Sequence, residues 1–182
     1  MKIILYSGDN VIETIEGVED VKINGNDIAW ETGSVSGVKC NIMVLNDDEV
    51  FSTTIILDNR KKTKIEELDK ACSETILGRF AADINGVTYY FSNDAEAQSN
   101  FKDTKILFSD GTIDAILGGL VTWTCYDVNG NVMRVQLNKT QFDNVFIARV
   151  KHQNDNVSKF RDTLQPQVEN ATTVEQIELI TW

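Results

Sequence analysis

Histidine is almost missing from this chain; His152 is the only one in 182 residues. Cysteine is scarce too, and Cys40, Cys72 and Cys125 stand far apart and odd in number. One His and three dispersed Cys provide no paired ligand spacing, so no zinc or other metal site is expected. The same pattern argues against a disulfide framework and for a reducing compartment. Basic charge is also short: 17 Lys and Arg stand against 28 Asp and Glu, a formal net charge of −11. With no basic stripe, so acidic a chain repels phosphate backbones, which disfavours nucleic acid as a partner. No stretch approaches the roughly 20 apolar residues that span a bilayer, so no membrane partner is expected. The opening MKIILYSGDN carries one Lys and an apolar run too short for a signal peptide. The expectation is a soluble protein made in a cytoplasm.

Phosphate-cradling loops are missing as well. Gly111 through Gly119 lacks the Lys-Ser/Thr end of a P-loop, and Gly33-Ser34-Val35-Ser36-Gly37 reads as a flexible turn with no helix after it. No cofactor is therefore expected. Proline occurs once, at Pro166, where a lost backbone donor and a clash with the preceding turn predict a kink or break.

What is present is apolar material for a real core, 42% of residues, with 25% charged. Residues 2–57 read as β-structure: Lys2–Tyr6, a hairpin over Val21–Ile28 turning at Asn24-Gly25, then Val38–Leu45 and Glu49–Leu57. The hairpin turn places Val21 opposite Ile28 and Lys22 opposite Asp27. The polar run Asp58–Lys64 reads as a break near a domain boundary, giving residues 1–60 and 61–182. Thr63 with Glu66 then predicts a capping box for a helix that places Ile65, Leu68, Cys72 and Ile76 on one face and ends at Gly78.

A second Asn-Gly hairpin, Phe80–Phe91, turns at Asn85-Gly86 and puts Phe80, Ala82, Ile84, Val87, Tyr89 and Phe91 on one side. Asn93 or Asp94 caps a short helix over 93–101. A third turn, Asn129-Gly130, predicts a hairpin whose apolar face holds Tyr126, Met133, Val135 and Leu137. Lys139–Leu164 is free of Gly and Pro and reads as one long helix with an apolar stripe of Phe146, Val150, Gln153, Val157, Phe160 and Leu164. That stripe packs on its own sheet or between subunits of a homo-oligomer. Thr172 with Glu175 predicts a last capping box, and Trp182 reads as docked. The fold expectation is α+β: a small N-terminal all-β domain, then an α+β domain with two β-hairpins and a long helix.

Candidate chemistry is thin. His152 between Lys151 and Gln153 reads as a solvated helix residue, and the cysteines as small buried apolar side chains. Asp127-Val128-Asn129-Gly130-Asn131 has its Gly in the place a turn wants, not where a calcium loop does. Asn46-Asp47-Asp48-Glu49 reads as an exposed loop tip. Asp110 and Asp114 are a pair among 28 acidic residues. No constellation fills the roles of an active site, so no catalytic residue is assigned and a non-enzyme is expected.

From about Lys64 to Trp182 an ordered set of motifs stands out. It runs Ile65-Glu66-Glu67-Leu68-Asp69-Lys70-Ala71-Cys72, Ile76-Leu77-Gly78-Arg79-Phe80, Tyr89-Tyr90-Phe91-Ser92, Asp94 to Asn100, Trp123 to Asp127 and His152. It closes with Leu164 to Trp182, around Ala171-Thr172-Thr173-Val174-Glu175-Gln176-Ile177. This order resembles an uncharacterised domain family of tail, tail-fibre and baseplate proteins of tailed bacteriophages. That family often has Asp-Gln in the segment where this chain has Ala97-Gln98, and Pro166 interrupts a helix its pattern runs through. The resemblance implies a virion structural protein, an adaptor joining a tail fibre or receptor-binding protein to the particle, or else a fibre-assembly chaperone. Its implied partners are other tail or baseplate proteins and the tail fibre. It supplies no catalytic residues.

Overall fold

The computed structural model of the chain describes residues 1–8 and 10–182. They divide into two compact units, Met1–Arg60 and Lys61–Trp182, and the division falls inside helix α1 (Thr53–Leu77). The architecture is α+β.

In the first unit, β1 (Lys2–Ser7) is the centre of an antiparallel sheet in the order β2-β1-β6, with β2 (Asn10–Ile15) and β6 (Asn41–Leu45). Four consecutive β1 residues, Ile3, Ile4, Leu5 and Tyr6, are buried, because both faces of the strand are covered. Ile3 and Leu5 pack with Val18, Ile28 and Val38, on the side of a second sheet of β3 (Lys22–Asn24), β4 (Asp27–Trp30) and β5 (Gly33–Val35). Ile4 and Tyr6 pack with Met43 and Leu45 against Phe51, Ile55 and Ile56. Burial of those four β1 side chains contributes on the order of 6–12 kcal/mol before chain entropy is subtracted.

Four expectations change here. Glu49–Leu57 is not a strand: Ser52 Oγ accepts from the Ile55 amide at 3.3 Å, and the helix starts at Thr53. The β-branched run Thr53-Thr54-Ile55-Ile56 favours a strand locally, but a helix turn puts Ile55 and Ile56 side by side on the sheet. Asp58–Lys64 is therefore no break, and Thr63 lies mid-helix rather than at a cap. The β3–β4 turn sits one residue further on, with Gly25 at φ 61° in the first central position, so Ile28 faces Ile23 instead of Val21. Gly33–Val35 is a strand, not a flexible turn; a Cβ at Gly33 would lie 2.6 Å from Trp30 Cζ2, so only glycine lets the indole fold over it.

In the second unit, four antiparallel strands run in the order β10-β9-β8-β7. They are β7 (Phe80–Ile84), β8 (Val87–Phe91), β9 (Leu120–Tyr126) and β10 (Val132–Asn138). The β7–β8 hairpin has Asn85 and Gly86 at φ 53° and 82° and pairs Phe80 with Phe91, Ala82 with Tyr89 and Ile84 with Val87. Its inner face meets α2 (Ala95–Ser109), α3 (Thr112–Leu117) and α4 (Lys139–Ser158) around Phe101, Phe108, Phe142 and Val145. Helix α2 is longer than the 93–101 segment and is capped by Asp94, whose carboxylate accepts from the Ala97 amide at 2.9 Å.

The β9–β10 register differs from a two-residue Asn129-Gly130 turn. Tyr126 pairs with Val132, and Val121, Trp123, Cys125, Val135 and Leu137 face the core while Tyr126 does not. Asp127 causes this. Its Oδ1 accepts from the amides of Asn129 and Asn131, each at 2.8 Å, and Gly130 takes φ 83°, which makes a three-residue loop. Hydrogen bonds from Asn131 first, then Asn129, hold the Asp127 carboxyl below its ordinary pKa. A carboxyl depressed in the folded state stabilises above its unfolded pKa and loses that contribution as pH falls through the folded value. The urea stability gap between the wild type and Asp127→Ala should therefore narrow from pH 7 to pH 3. A gap of constant size would remove the carboxylate from this account.

Helical structure does not stop at Pro166. Helix α4 passes into a π-helical segment, Lys159–Leu164, and on into α5 (Gln165–Asn170). The Gln165 amide reaches back five residues to the Phe160 carbonyl. The wider turn takes up the missing donor and the ring of Pro166 just where an α-turn would clash. A short α6 (Val174–Glu178) follows, capped by Thr173 and Gln176, one residue beyond the expected Thr172 and Glu175.

Candidate functional site

The long helix turns a different line inward from the expected stripe. Phe142, Val145, Phe160, Leu164 and Val168 are buried, and Arg149, His152 and Asn156 fill the inward positions between them. Val150, Gln153 and Val157 are exposed, and Phe146 is half-buried. Polar side chains occupy the middle of the buried line because the C-terminal end of α1 lies there with carbonyls to satisfy.

Asn93 is the centre of this polar cluster and is 0% exposed. Its Nδ2 donates to the Ile76 carbonyl at 2.6 Å, its Oδ1 accepts from Arg149 Nε at 2.9 Å, and its carbonyl accepts from Gln98 Nε2 at 2.9 Å. His152 Nε2 lies 3.0 Å from the Thr75 carbonyl; a carbonyl only accepts, so Nε2 carries the proton. His152 is thus half-buried and committed to a backbone cap. Cys72 Sγ donates to the Asn156 carbonyl at 3.5 Å, and burial first, then the Asp69 charge, pushes its thiol pKa up. His152 and Cys72 aim their protons at backbone carbonyls and not at each other, which is no arrangement for nucleophilic catalysis. Cys125 is buried, and its thiol is likewise pushed up by burial. Burial pulls the Arg149 guanidinium down from its ordinary pKa.

A buried cation, Lys64, is 7% exposed and lies 3.4 Å from Glu67 and 3.7 Å from Glu178, tying α1 to α6. Together with Lys61 on the Glu169 carbonyl and Arg161 on Asp69, it clamps α1 along the C-terminal helices. A groove of about 300 Å³ runs between α1 and the π-segment, lined by Ile65, Glu66, Asp69, Lys70, Phe160 and Arg161. Its wall ions, Arg161 and Asp69, already pair with each other at 3.3 Å.

The remaining acidic candidates serve local structure. Asp110 Oδ1 accepts from the Thr112 amide at 2.9 Å, and hydrogen bonding to Thr112 holds its carboxyl below the ordinary value. Asp47 pairs with the Met1 ammonium at 3.2 Å. Among the described residues, no three His, Cys, Asp or Glu gather to hold a metal ion.

Several motif segments supply this cluster through Cys72, Ile76, Gln98 and His152. Gln98 supports Asn93, Arg79 lies 3.3 Å over the Tyr126 ring, Tyr90 pairs with Tyr126, and His152 caps α1 beside Phe80. Residues 59–181 match the family model described as Domain of unknown function (DUF4376). The chain belongs to the DUF4376 family. That span contains the whole Asn93 cluster and the Lys64 clamp, so the DUF4376 part of the chain coincides closely with the second compact unit. No curated protein and no solved structure matches the chain. Sequence reasoning missed Asn93 and Lys64 as buried and Arg149 as a half-buried partner. Asn93 reads equally well as a helix cap, and no local pattern marks a lysine or arginine whose counter-group comes from a distant element.

Proposed function

We propose that this chain is a structural component of a bacteriophage tail or baseplate, an adaptor that attaches a tail fibre or receptor-binding protein to the particle. One observation carries the reading. The segments whose order resembles the phage tail family supply a rigid polar clamp, not a reactive cleft, and their donors and acceptors are satisfied within the fold. A protein built this way acts through its surfaces. Two compact units in one chain suit two attachments, the first unit to the particle and the second to a fibre. No helix of the described residues is long and apolar enough to cross a membrane. Exposed Val150, Gln153 and Val157 on α4 support a homo-oligomer as a further part of the reading.

Mass spectrometry of purified virions tests the proposal. The chain should be present at a stoichiometry fixed relative to other tail proteins. Absence from particles, with rescue of fibre folding on co-expression, would replace the adaptor by an assembly chaperone; absence without rescue would end both readings.

A further inference from the structure

A concentration of exposed aliphatic side chains lies where α2 ends, α3 turns and β9 begins. Ile106 and Leu107 are 53% and 41% exposed, Ile116 and Leu117 74% and 57%, and Leu120 42%. Helix α3 buries only Ile113 and leaves its other two large aliphatics in water. This is not a loose loop. Gly111, Gly118 and Gly119 hold φ of 80°, 64° and 81°, and the Gly119 amide donates to the Ile113 carbonyl at 3.2 Å. Isolated surface aliphatics are ordinary, but five within fifteen residues, on α2, β9 and the α3 that touches both, form a patch of the kind that other chains cover.

The charges around the patch decide what covers it. Asp103, Asp110 and Asp114 stand on the same elements, against Lys102; Lys105 is taken by Asp143 at 2.6 Å. A second copy would bring the same carboxylates against these, and anionic lipid or nucleic acid would be repelled in the same way. We propose that Ile106, Leu107, Ile116, Leu117 and Leu120 form a docking surface for a partner polypeptide that presents an aliphatic ridge flanked by lysine or arginine. The inference rests on the chain acting by binding, but not on its residence in a virion.

The test uses the full chain and two synthetic amphipathic helical peptides. Both carry leucines at i, i+3, i+4 and i+7; one is flanked by lysines and the other by glutamates. The lysine peptide should shift the amide resonances of residues 106–120 and bind at least about tenfold more tightly than the glutamate peptide, as a local excess of carboxylates favours. Ile116→Ser with Leu117→Ser, and separately Leu107→Ser, should abolish or weaken that binding while leaving the melting temperature unchanged. Equal binding of both peptides, shifts confined to other residues, or no binding would overturn the proposal. So would a concentration-dependent dimer that the double variant disperses, since the occupant would then be a second copy. The virion measurement has an independent outcome, so failure of one does not imply failure of the other.

Discussion

Phe101→Ala is expected to lower the stability of the second unit by about 3–5 kcal/mol, the range for deleting a buried aromatic. Phe101 is 0% exposed and sits where the core converges. Its ring stacks on Trp123 at 4.4 Å between centroids and lies 5.7 Å from Phe80, 5.9 Å from Phe142 and 6.4 Å from Phe91. These neighbours come from β9, β7, α4 and β8, so no single element can move in to fill the space. Close packing leaves the lost contacts unreplaced, and each aromatic pair adds to the burial term. Urea unfolding followed by Trp123 fluorescence, with Trp30 and Trp182 replaced by Phe in both proteins, measures the difference. A loss below about 1.5 kcal/mol would mean that the site collapses around the cavity, against this packing argument. Phe101→Leu, which keeps most of the volume, should cost about 1–2 kcal/mol and provides the comparison if the alanine variant does not fold.

The second large effect is expected at Asn93. Asn93→Ala strands the Ile76 carbonyl and leaves the half-buried Arg149 Nε donor without its partner. The orphaned carbonyl costs about 1–3 kcal/mol and the partly solvated donor less, so the variant should be less stable by about 2–4 kcal/mol. Asn93→Asp separates hydrogen bonding from charge. It keeps an acceptor for Arg149 but sets a second oxygen where Nδ2 stood, 2.6 Å from the Ile76 carbonyl. The aspartate variant should therefore also be destabilised at neutral pH, despite the new ion pair. Thermal and urea unfolding of both variants check this. An alanine variant within 1 kcal/mol of the wild type, or a stabilised aspartate variant, would show that the clamp is not what holds the end of α1.

Both predictions concern residues that the linear sequence places unevenly. Phe80, Phe91 and Ala82 are legible at once, because Asn85-Gly86 sets a type I′ turn and the turn alone dictates which residues face each other. The β9–β10 hairpin contains the same Asn-Gly dipeptide, yet Asp127 accepts two loop amides and shifts the register by one, which exchanges the faces. The inward face of α4 is misread for a related reason. Apolar periodicity finds Phe146, Val150 and Val157, whereas the inward line passes through Arg149, which donates to Asn93, His152, which donates to the Thr75 carbonyl, and Asn156, whose carbonyl accepts from Cys72.

By itself the sequence determined the α+β composition, the β7–β8 register, the cap at Asn93 or Asp94, the helix end at Gly78, and the lack of any spacing that metals, nucleotides or thiol chemistry require. These follow from short-range rules: turn dihedrals, cap hydrogen bonds and ligand spacing act within a few residues. Only the tertiary structure decided that Glu49–Leu57 begins a helix, that Pro166 is absorbed by a π-turn, that Asn93 and Lys64 are buried, and that Arg149 and His152 are half-buried partners. Except at the π-turn, the deciding group lies far along the chain or across a packed layer. Burial and hydrogen-bond satisfaction there outweigh a local preference of about 1 kcal/mol.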